Sequence, residues 1–353
     1  MEYGENSEVI LRIAENVSVS VVVLTVGVLL LVIFFRSLLI LREKRKEKFL
    51  SQWRPILYET LFSVPDSLPK LKKGHIKDFI DEWNQVQFNV KGVCVKRLNY
   101  LARKLEINKY LRKKLKSRSV RDQLTAIISL GSLRDYESTD ELIRITQQGK
   151  PIPSLAAARA LLQIDPMRSI EFLLNPIVNR EDWPLSLVAK ILIEAKNEKL
   201  CSILAEATLV ASPRQLPRLI QLLDAVNCKE ATDVFRQLLA KEQDGRVITL
   251  CLQAIKNPAG LDMVRKYLDH DRWHVRVHAA TALGRIGTDD DIAKLIELLK
   301  DPQWWVSYRS AQALASMPFL DTNFLMTLKN QMEDRYAKDV LSHVLAESQV
   351  LVT

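Results

Sequence analysis

A leucine-type residue returns at nearly fixed intervals through the C-terminal two-thirds of this 353-residue chain. Leu130, Leu161, Leu192, Leu223, Ile255, Leu283, Leu314 and Leu345 are separated by 31, 31, 31, 32, 28, 31 and 31 residues. A period of this length marks a repeat solenoid, in which no single repeat buries its own apolar face and stacking makes the core. Such arrays build long surfaces that grip partners.

The surroundings repeat with the leucine. Three residues earlier stand Ile127, Ala158, Ala189, Ile220, Leu252, Ala280 and Ala311, and four earlier Ala126, Ala157, Val188, Leu219, Cys251, Ala279 and Ser310. Apolar residues at i, i+1 and i+4 form one helix face, and the small ones let helices approach closely. Pro153, Pro184, Val247, Val275 and Val306 mark the helix starts, where a proline's missing N–H costs nothing. A second apolar-periodic helix follows each turn. Thr288 with Asp291 predicts a capping box, and Asp165-Pro166 and Asn257-Pro258 predict N-cap and N1 pairs. No long run of alternating polarity and no flanked hairpin turn occurs, so the expected fold class is all-α.

The run Asp271-Arg272-Trp273-His274-Val275-Arg276, then Ala279-Ala280 and Ala282-Leu283-Gly284-Arg285-Ile286-Gly287, resembles the HEAT repeat in its bacterial, phycobilisome-lyase-like form. Trp304-Trp305-Val306, Ala311 and Ala313-Leu314 echo it, and Val120-Arg121, Ala126 and Leu130-Gly131 give a looser version. The resemblance covers roughly 118–349 and implies an α-solenoid of about seven HEAT-like helix pairs, with the second helix of each pair lining a concave groove. It implies no particular function.

Ahead of the array, Val17 to Phe35 are 19 residues without a charge, and the apolar run resumes as Leu38-Leu39-Ile40-Leu41. At ~1.5 Å per residue the first stretch spans roughly 28 Å, close to a ~30 Å hydrocarbon core. Arg42, Lys44, Arg45, Lys46 and Lys48 follow it while only Arg12 precedes it. Positive residues stay cytoplasmic. The expected protein is therefore single-pass in the cell inner (cytoplasmic) membrane, with its N-terminus outside and the array in the cytoplasm. The expected divisions are an extracytoplasmic segment (1–16), a transmembrane anchor (17–41), a basic juxtamembrane helical cap (42–117) and the solenoid (118–349). Trp53, Ile56, Leu57, Thr60 and Leu61 predict a short amphipathic helix within the cap, ended by Pro65 and Pro69. Cys94, Cys201, Cys228 and Cys251 follow no paired spacing and read as reduced structural thiols.

The net charge of +9 is a local property. Residues 91–121 hold 12 basic residues and 1 acidic one, whereas the rest of the array holds 27 against 30. Cys94, Leu98, Leu101 and Leu105 form the apolar stripe of that segment, with Lys96, Arg97, Arg103 and Lys104 off it and Arg112, Lys113 and Lys114 beyond. Three readings fit: a helix packed on the first repeat with a solvated face, a surface for anionic lipid or an acidic protein, or a non-specific nucleic-acid contact.

Sites of chemistry are sparse. No phosphate-binding loop, dinucleotide fingerprint or nucleophile elbow occurs, and ten glycines leave little material for them. The His-Glu dipeptides of iron-binding HEAT hydroxylases, which resemble deoxyhypusine hydroxylase, are absent. His270, His274 and His278 lack an evident third ligand and second shell and read as surface histidines. Trp273, Trp304 and Trp305 open successive helices, as an aromatic strip or as packing between repeats. Arg276 with Asp271 suggests a polar ladder between repeats.

The expectation is a non-enzymatic scaffold without catalytic residue, metal or cofactor, holding a protein partner at the membrane. The layout of anchor, Trp-containing cap and HEAT array resembles proteins associated with membrane glycosyltransferases, which implies support of cell-surface polysaccharide synthesis. One alternative is a regulator sensing anionic lipid through 91–121. The other, a nucleic-acid enzyme like the alkylpurine DNA glycosylases, is disfavoured by the slightly acidic, tethered array.

Overall fold

The computed structural model of the chain describes residues 2–195, 198–241 and 244–350, with side chains from Leu24 onward. The side chains of the expected extracytoplasmic segment and of Val17 to Val23 lie outside the described residues. Among the described residues the fold is all-α, nineteen α-helices with short 3-10 turns and no strand. Contacts divide the chain into two units, one ending at Leu133 and one beginning at Arg134.

The first unit contains α1 (Glu2–Glu59), α2 (Ile76–Phe88), α3 (Val93–Lys104), α4 (Ile107–Leu115) and α5 (Val120–Leu133). The separate short helix expected around Trp53 does not exist. Trp53 and Leu57 lie in the last turns of the same helix that carries the apolar run. Between Leu41 and Glu59 there is no glycine and most residues are strong helix formers. The one proline, Pro55, lies in the last turns and does not end the helix. The most apolar window of α1 has a mean hydropathy of 2.6 and is 0 % buried within the protein, so α1 is long and apolar enough to cross a membrane.

Past the basic run, α1 becomes part of a packed core. Phe49, Leu50, Trp53 and Leu57 are buried. Phe49 stacks on His75 at 4.5 Å, Trp53 meets Phe79 edge-on at 5.0 Å, and Arg54 Nε donates to Glu82 at 2.9 Å. These pairs advance together, so α1 and α2 run in the same sense. Lys77 with Asp122 (2.8 Å) and Asn84 with Ser129 (2.9 Å) align α2 and α5 likewise. Fully buried Trp83 fills the centre and donates Nε1–H to the Leu98 carbonyl at 3.1 Å.

The second unit is a stack of helix pairs: α6 (Thr139–Gln148), α7 (Pro151–Ile164), α8 (Pro166–Asn179), α9 (Leu185–Ala195), α10 (Glu198–Leu209), α11 (Leu216–Val226), α12 (Ala231–Ala240), α13 (Gly245–Ala254), α14 (Leu261–Arg265), α15 (Trp273–Ile286), α16 (Ile292–Leu298), α17 (Trp304–Ser316), α18 (Thr322–Gln331) and α19 (Arg335–Val350). The odd-numbered helices from α7 to α19 pack one on the next as a continuous row. All eight recurring residues are buried, from Leu130 to Leu345. Ile255, the one out of step, sits just past the end of α13 as its C-cap residue. A first helix of ten residues, against fourteen in α15, accounts for the irregular spacing.

The expected caps are present. Asp165 accepts from the N–H groups of Met167 and Arg168 (3.1 and 3.2 Å), and Asn257 from Ala259 at 3.0 Å. Thr288 and Asp291 form the reciprocal capping box. Burial pushes the Asp291 carboxyl up, but Arg265 and the Thr288 N–H together hold it below the usual carboxylate range. At the other helix ends, arginines reach back across the stack to orphan carbonyls. Arg180 donates to Thr146 and Gly149, Arg218 to Ile177 and Trp183, and Arg285 to Leu252, Gln253 and Ile255. A cation there satisfies unpaired acceptors and faces the negative end of the helix dipole.

The ladder at Arg276 uses a different carboxylate from the expected one. Asp271 offers only its main-chain carbonyl (3.1 Å), and the bidentate partner is Asp301 of the next repeat, at 2.8 and 3.0 Å. Asp301 opens the following helix, so α17 is pinned to α15 where its chain begins. The same two helices approach closely at Gly284. A Cβ there would stand 2.7 Å from the Ala313 Cα and 2.6 Å from the Ser316 Oγ. Gly284→Ala is expected to lower stability by about 1–3 kcal/mol through overpacking, despite the ~1 kcal/mol helix preference for alanine. A raised urea midpoint for this variant would show that the helices part without cost.

The cysteines correct the reading of four reduced thiols. Cys201 and Cys228 form a disulfide, with Cα atoms 5.4 Å apart across 27 residues of sequence. Antiparallel packing of α10 and α11 brings the start of one beside the end of the other, which spacing in sequence does not reveal. Closing a loop of this size contributes about 3.5 kcal/mol in the chain-entropy view. Cys94 and Cys251 are free, and burial pushes the Cys251 thiol up to about 12, which keeps it inert.

Candidate functional site

The sequence marks three tryptophans, and all three stand out from the stack. Trp273, Trp304 and Trp305 are 41 %, 43 % and 50 % exposed, so none is an inter-repeat filler. Trp304 stacks on Tyr308 at 4.8 Å and meets Trp305 edge-on at 4.7 Å. Tyr308 follows Trp304 by four residues, one helical turn along the same face. Trp273 stands at the start of α15 and contacts His274 edge-on at 5.9 Å.

The polar face beside this cluster comes from the first helices, α15, α17 and α19, and not from the second helices that the resemblance favours. A cleft of about 440 Å³ is lined there by Arg285, Arg309, Gln312, Ser316 and Glu347 among others. Tyr308 joins aromatic cluster to cleft: its hydroxyl donates to Glu347 at 2.7 Å and accepts from Gln312 at 2.8 Å. The bond to Glu347 raises the Tyr308 pKa. Glu347 also faces His343 Nε2 at 3.2 Å. Burial lowers the Arg285 pKa, and its Nη2 is spent on carbonyls at the end of α13.

The histidines are divided by their surroundings. His270 Nδ1 accepts from the Arg272 N–H at 3.1 Å, and His278 meets the Gln253 amide at 3.2 Å. Burial, and then neighbouring His274, Arg309 and Arg285, lower the His278 pKa and favour the neutral ring. Among the described residues no three His, Cys, Asp or Glu side chains are grouped to hold a metal ion.

The basic candidates of the first unit fall into two kinds. Arg97 donates to the Leu61 carbonyl (2.6 Å), Arg103 to Leu133 (2.6 Å) and Lys104 to Asp66 (3.1 Å), so these three tie the unit together. Lys114 bonds Asp122 at 3.2 Å and lies 5.7 Å above the Tyr110 ring. Hydrogen bonds from Lys77 and then Lys114 hold Asp122 below the usual carboxylate range. Arg112 is half-buried, whereas Lys96 and Lys113 are exposed. Sequence spacing could not separate structural from solvent-facing cations because the acceptors are main-chain carbonyls of segments distant in sequence.

The family described as HEAT repeats matches residues 237–315. The match covers that segment alone. The matched HEAT segment includes α13, α15 and α17, and thus the tryptophans and most of the cleft. No curated protein matches the sequence. Among solved structures, the karyopherin Kap121p bound to the extreme C-terminus of the protein phosphatase Cdc14p is similar, with 12 % identity and a TM-score of 0.50 over 79 % of this chain and 38 % of that one. The chain thus spans little more than a third of the karyopherin's length. The CpcE–CpcF complex of phycocyanin lyase from Nostoc sp. is 17 % identical over 67 % of this chain and 94 % of that one, with a TM-score of 0.28. Human deoxyhypusine hydroxylase with glycerol gives 16 %, 69 %, 96 % and 0.30. At 12 % identity the likeness to Kap121p is one of fold.

Proposed function

We propose that the chain is a non-enzymatic, membrane-tethered scaffold that grips a protein partner through its HEAT array. The observation that carries this reading is the exposed Trp304–Trp305–Tyr308 cluster beside a cleft with two arginines. Exposed large aromatics and arginine are the residue types that dominate protein-binding hot spots. A HEAT fold similar to this one, in Kap121p, is seen with a protein C-terminus bound. The tether restricts the search to partners at the bilayer, and an integral membrane enzyme is the class that suits it. A glycosyltransferase of cell-surface polysaccharide synthesis is the specific candidate, on the resemblance in layout.

The test is comparative recovery. The Trp304→Ala, Trp305→Ala double variant is expected to lose the partner by tenfold or more, since removing each hot-spot aromatic costs ~2 kcal/mol. Equal recovery with the wild-type chain would place the binding surface elsewhere.

The tether is α1, with residues from about 42 onward in the cytoplasm on the strength of the basic run. The Cys201–Cys228 pair bears on the same question, because disulfides persist in oxidising compartments. A cytoplasmic array would meet a reducing environment that opens this disulfide, so the state of the pair in cells reports the side of the membrane on which the array lies. A maleimide-polyethylene glycol reagent applied to acid-quenched cells is expected to label Cys201 and Cys228 without prior reduction. Labelling that appears only after reduction would reverse the topology.

A further inference from the structure

The continuity of α1 turns position along it into distance from the membrane. If the hydrocarbon ends at Leu41, Phe49 lies ~12 Å beyond it and Leu61 roughly 30 Å beyond it, at 1.5 Å per residue. The pairs that align α1 with α2 and α2 with α5 then sort the basic residues by height. His75 stacks on Phe49, so Lys72 and Lys73 lie at the near level. Lys77 and Lys114 share Asp122, and Gln123 Nε2 donates to the Leu115 carbonyl, which brings the end of α4 and the start of α5 to that same end. From 113 to 122 five basic residues accompany a single acid, Asp122, which is already saturated by two lysines. Lys73, Lys113, Lys116, Arg118 and Arg121 are all exposed. The opposite end carries Lys91 and Lys96, beside Arg97 on the Leu61 carbonyl.

Only one of these ends is in range of a bilayer. The headgroup layer extends ~5–8 Å past the hydrocarbon, and the Debye length is ~8–10 Å at physiological salt. The near end falls inside that sum and the far end well outside it. We propose that the α4–α5 turn with the start of α2, led by Lys73, Lys113, Lys116, Arg118 and Arg121, docks on anionic lipid headgroups. The proposal rests on the reading of α1 as a membrane anchor. It narrows the basic segment to its second half and adds Lys73, which lies outside 91–121. The docked surface would hold the first unit upright at a fixed height on the membrane.

The experiment uses the full chain in lipid nanodiscs of phosphatidylcholine, with or without about a third phosphatidylglycerol, read by hydrogen exchange. Exchange at 114–121 is expected to slow by about fivefold or more with phosphatidylglycerol in 50 mM salt, and to return to the phosphatidylcholine value in 0.5 M salt. Exchange at 88–96 is expected to be the same in both lipids. The Lys113→Glu, Lys116→Glu, Arg118→Glu variant should lose the slowing while α15 and α17 keep their protection, which shows that it is folded. A second variant, Lys91→Glu with Lys96→Glu, should behave as wild type. Equal exchange in the two lipids, or equal slowing at 88–96, overturns the proposal while leaving the anchor intact. Failure of the chain to enter nanodiscs overturns the anchor and the proposal with it.

Discussion

Leu29→Arg with Val32→Arg is expected to release the chain from membranes. Both side chains are more than half exposed on a helix none of whose apolar window is buried by the protein. Each arginine near the bilayer centre costs ~2.5–3.5 kcal/mol on insertion scales, so the pair costs roughly 5–7 kcal/mol. That is a shift of at least a thousandfold toward the aqueous phase. Because the two residues touch no core, the array should keep its thermal transition. The check is carbonate extraction of membranes followed by a melt of the released protein. A variant that stays in the carbonate pellet would show that the apolar window of α1 is not what holds the chain in the membrane.

The largest expected loss of stability is that of Asp301→Ala, at about 3–5 kcal/mol. Arg276 and Asp301 are 14 % and 6 % exposed, and the pair is bidentate. Removing the carboxylate leaves a nearly buried guanidinium without its counter-charge and takes the acceptor from the Gln303 N–H at the start of α17. In a stack whose repeats contact only their neighbours, the damage stays local. Urea unfolding should therefore show an early phase for α17 to α19 ahead of the rest. Replacing both partners, as Arg276→Met with Asp301→Leu, should recover much of the loss, because neither charge is then left buried alone. A single cooperative transition at the wild-type midpoint for Asp301→Ala would refute the ladder.

These two residues also mark the limit of what was legible in the sequence. The array, its period and its small-residue faces could be read because each depends on spacing along one helix. The caps at Asp165, Asn257 and Thr288 could be read for the same reason. What failed depended on neighbours far apart in sequence. Arg276 takes Asp301, 25 residues on, in preference to the nearby Asp271, and Cys201 takes Cys228 across a helix pair. The short helix expected at Trp53 failed differently. The apolar spacing from Trp53 marks a face that packs, not the start of a helix, and backbone propensity continues through the basic run before it.

The candidate site was legible in part. The tryptophans are visible as residues, and the four-residue step from Trp304 to Tyr308 is the signal that places both on one helix face. The cleft was not visible, since Arg285, Arg309 and Glu347 come from three helices whose register only packing defines.

The most direct test of the scaffold reading is quantitative crosslinking and co-purification of the full chain from its native membrane, beside the Trp304→Ala, Trp305→Ala variant. The account predicts an integral membrane protein recovered with the wild-type chain and depleted tenfold or more with the variant, with both chains equally membrane-bound. Recovery of the same proteins in equal amounts by both would contradict it.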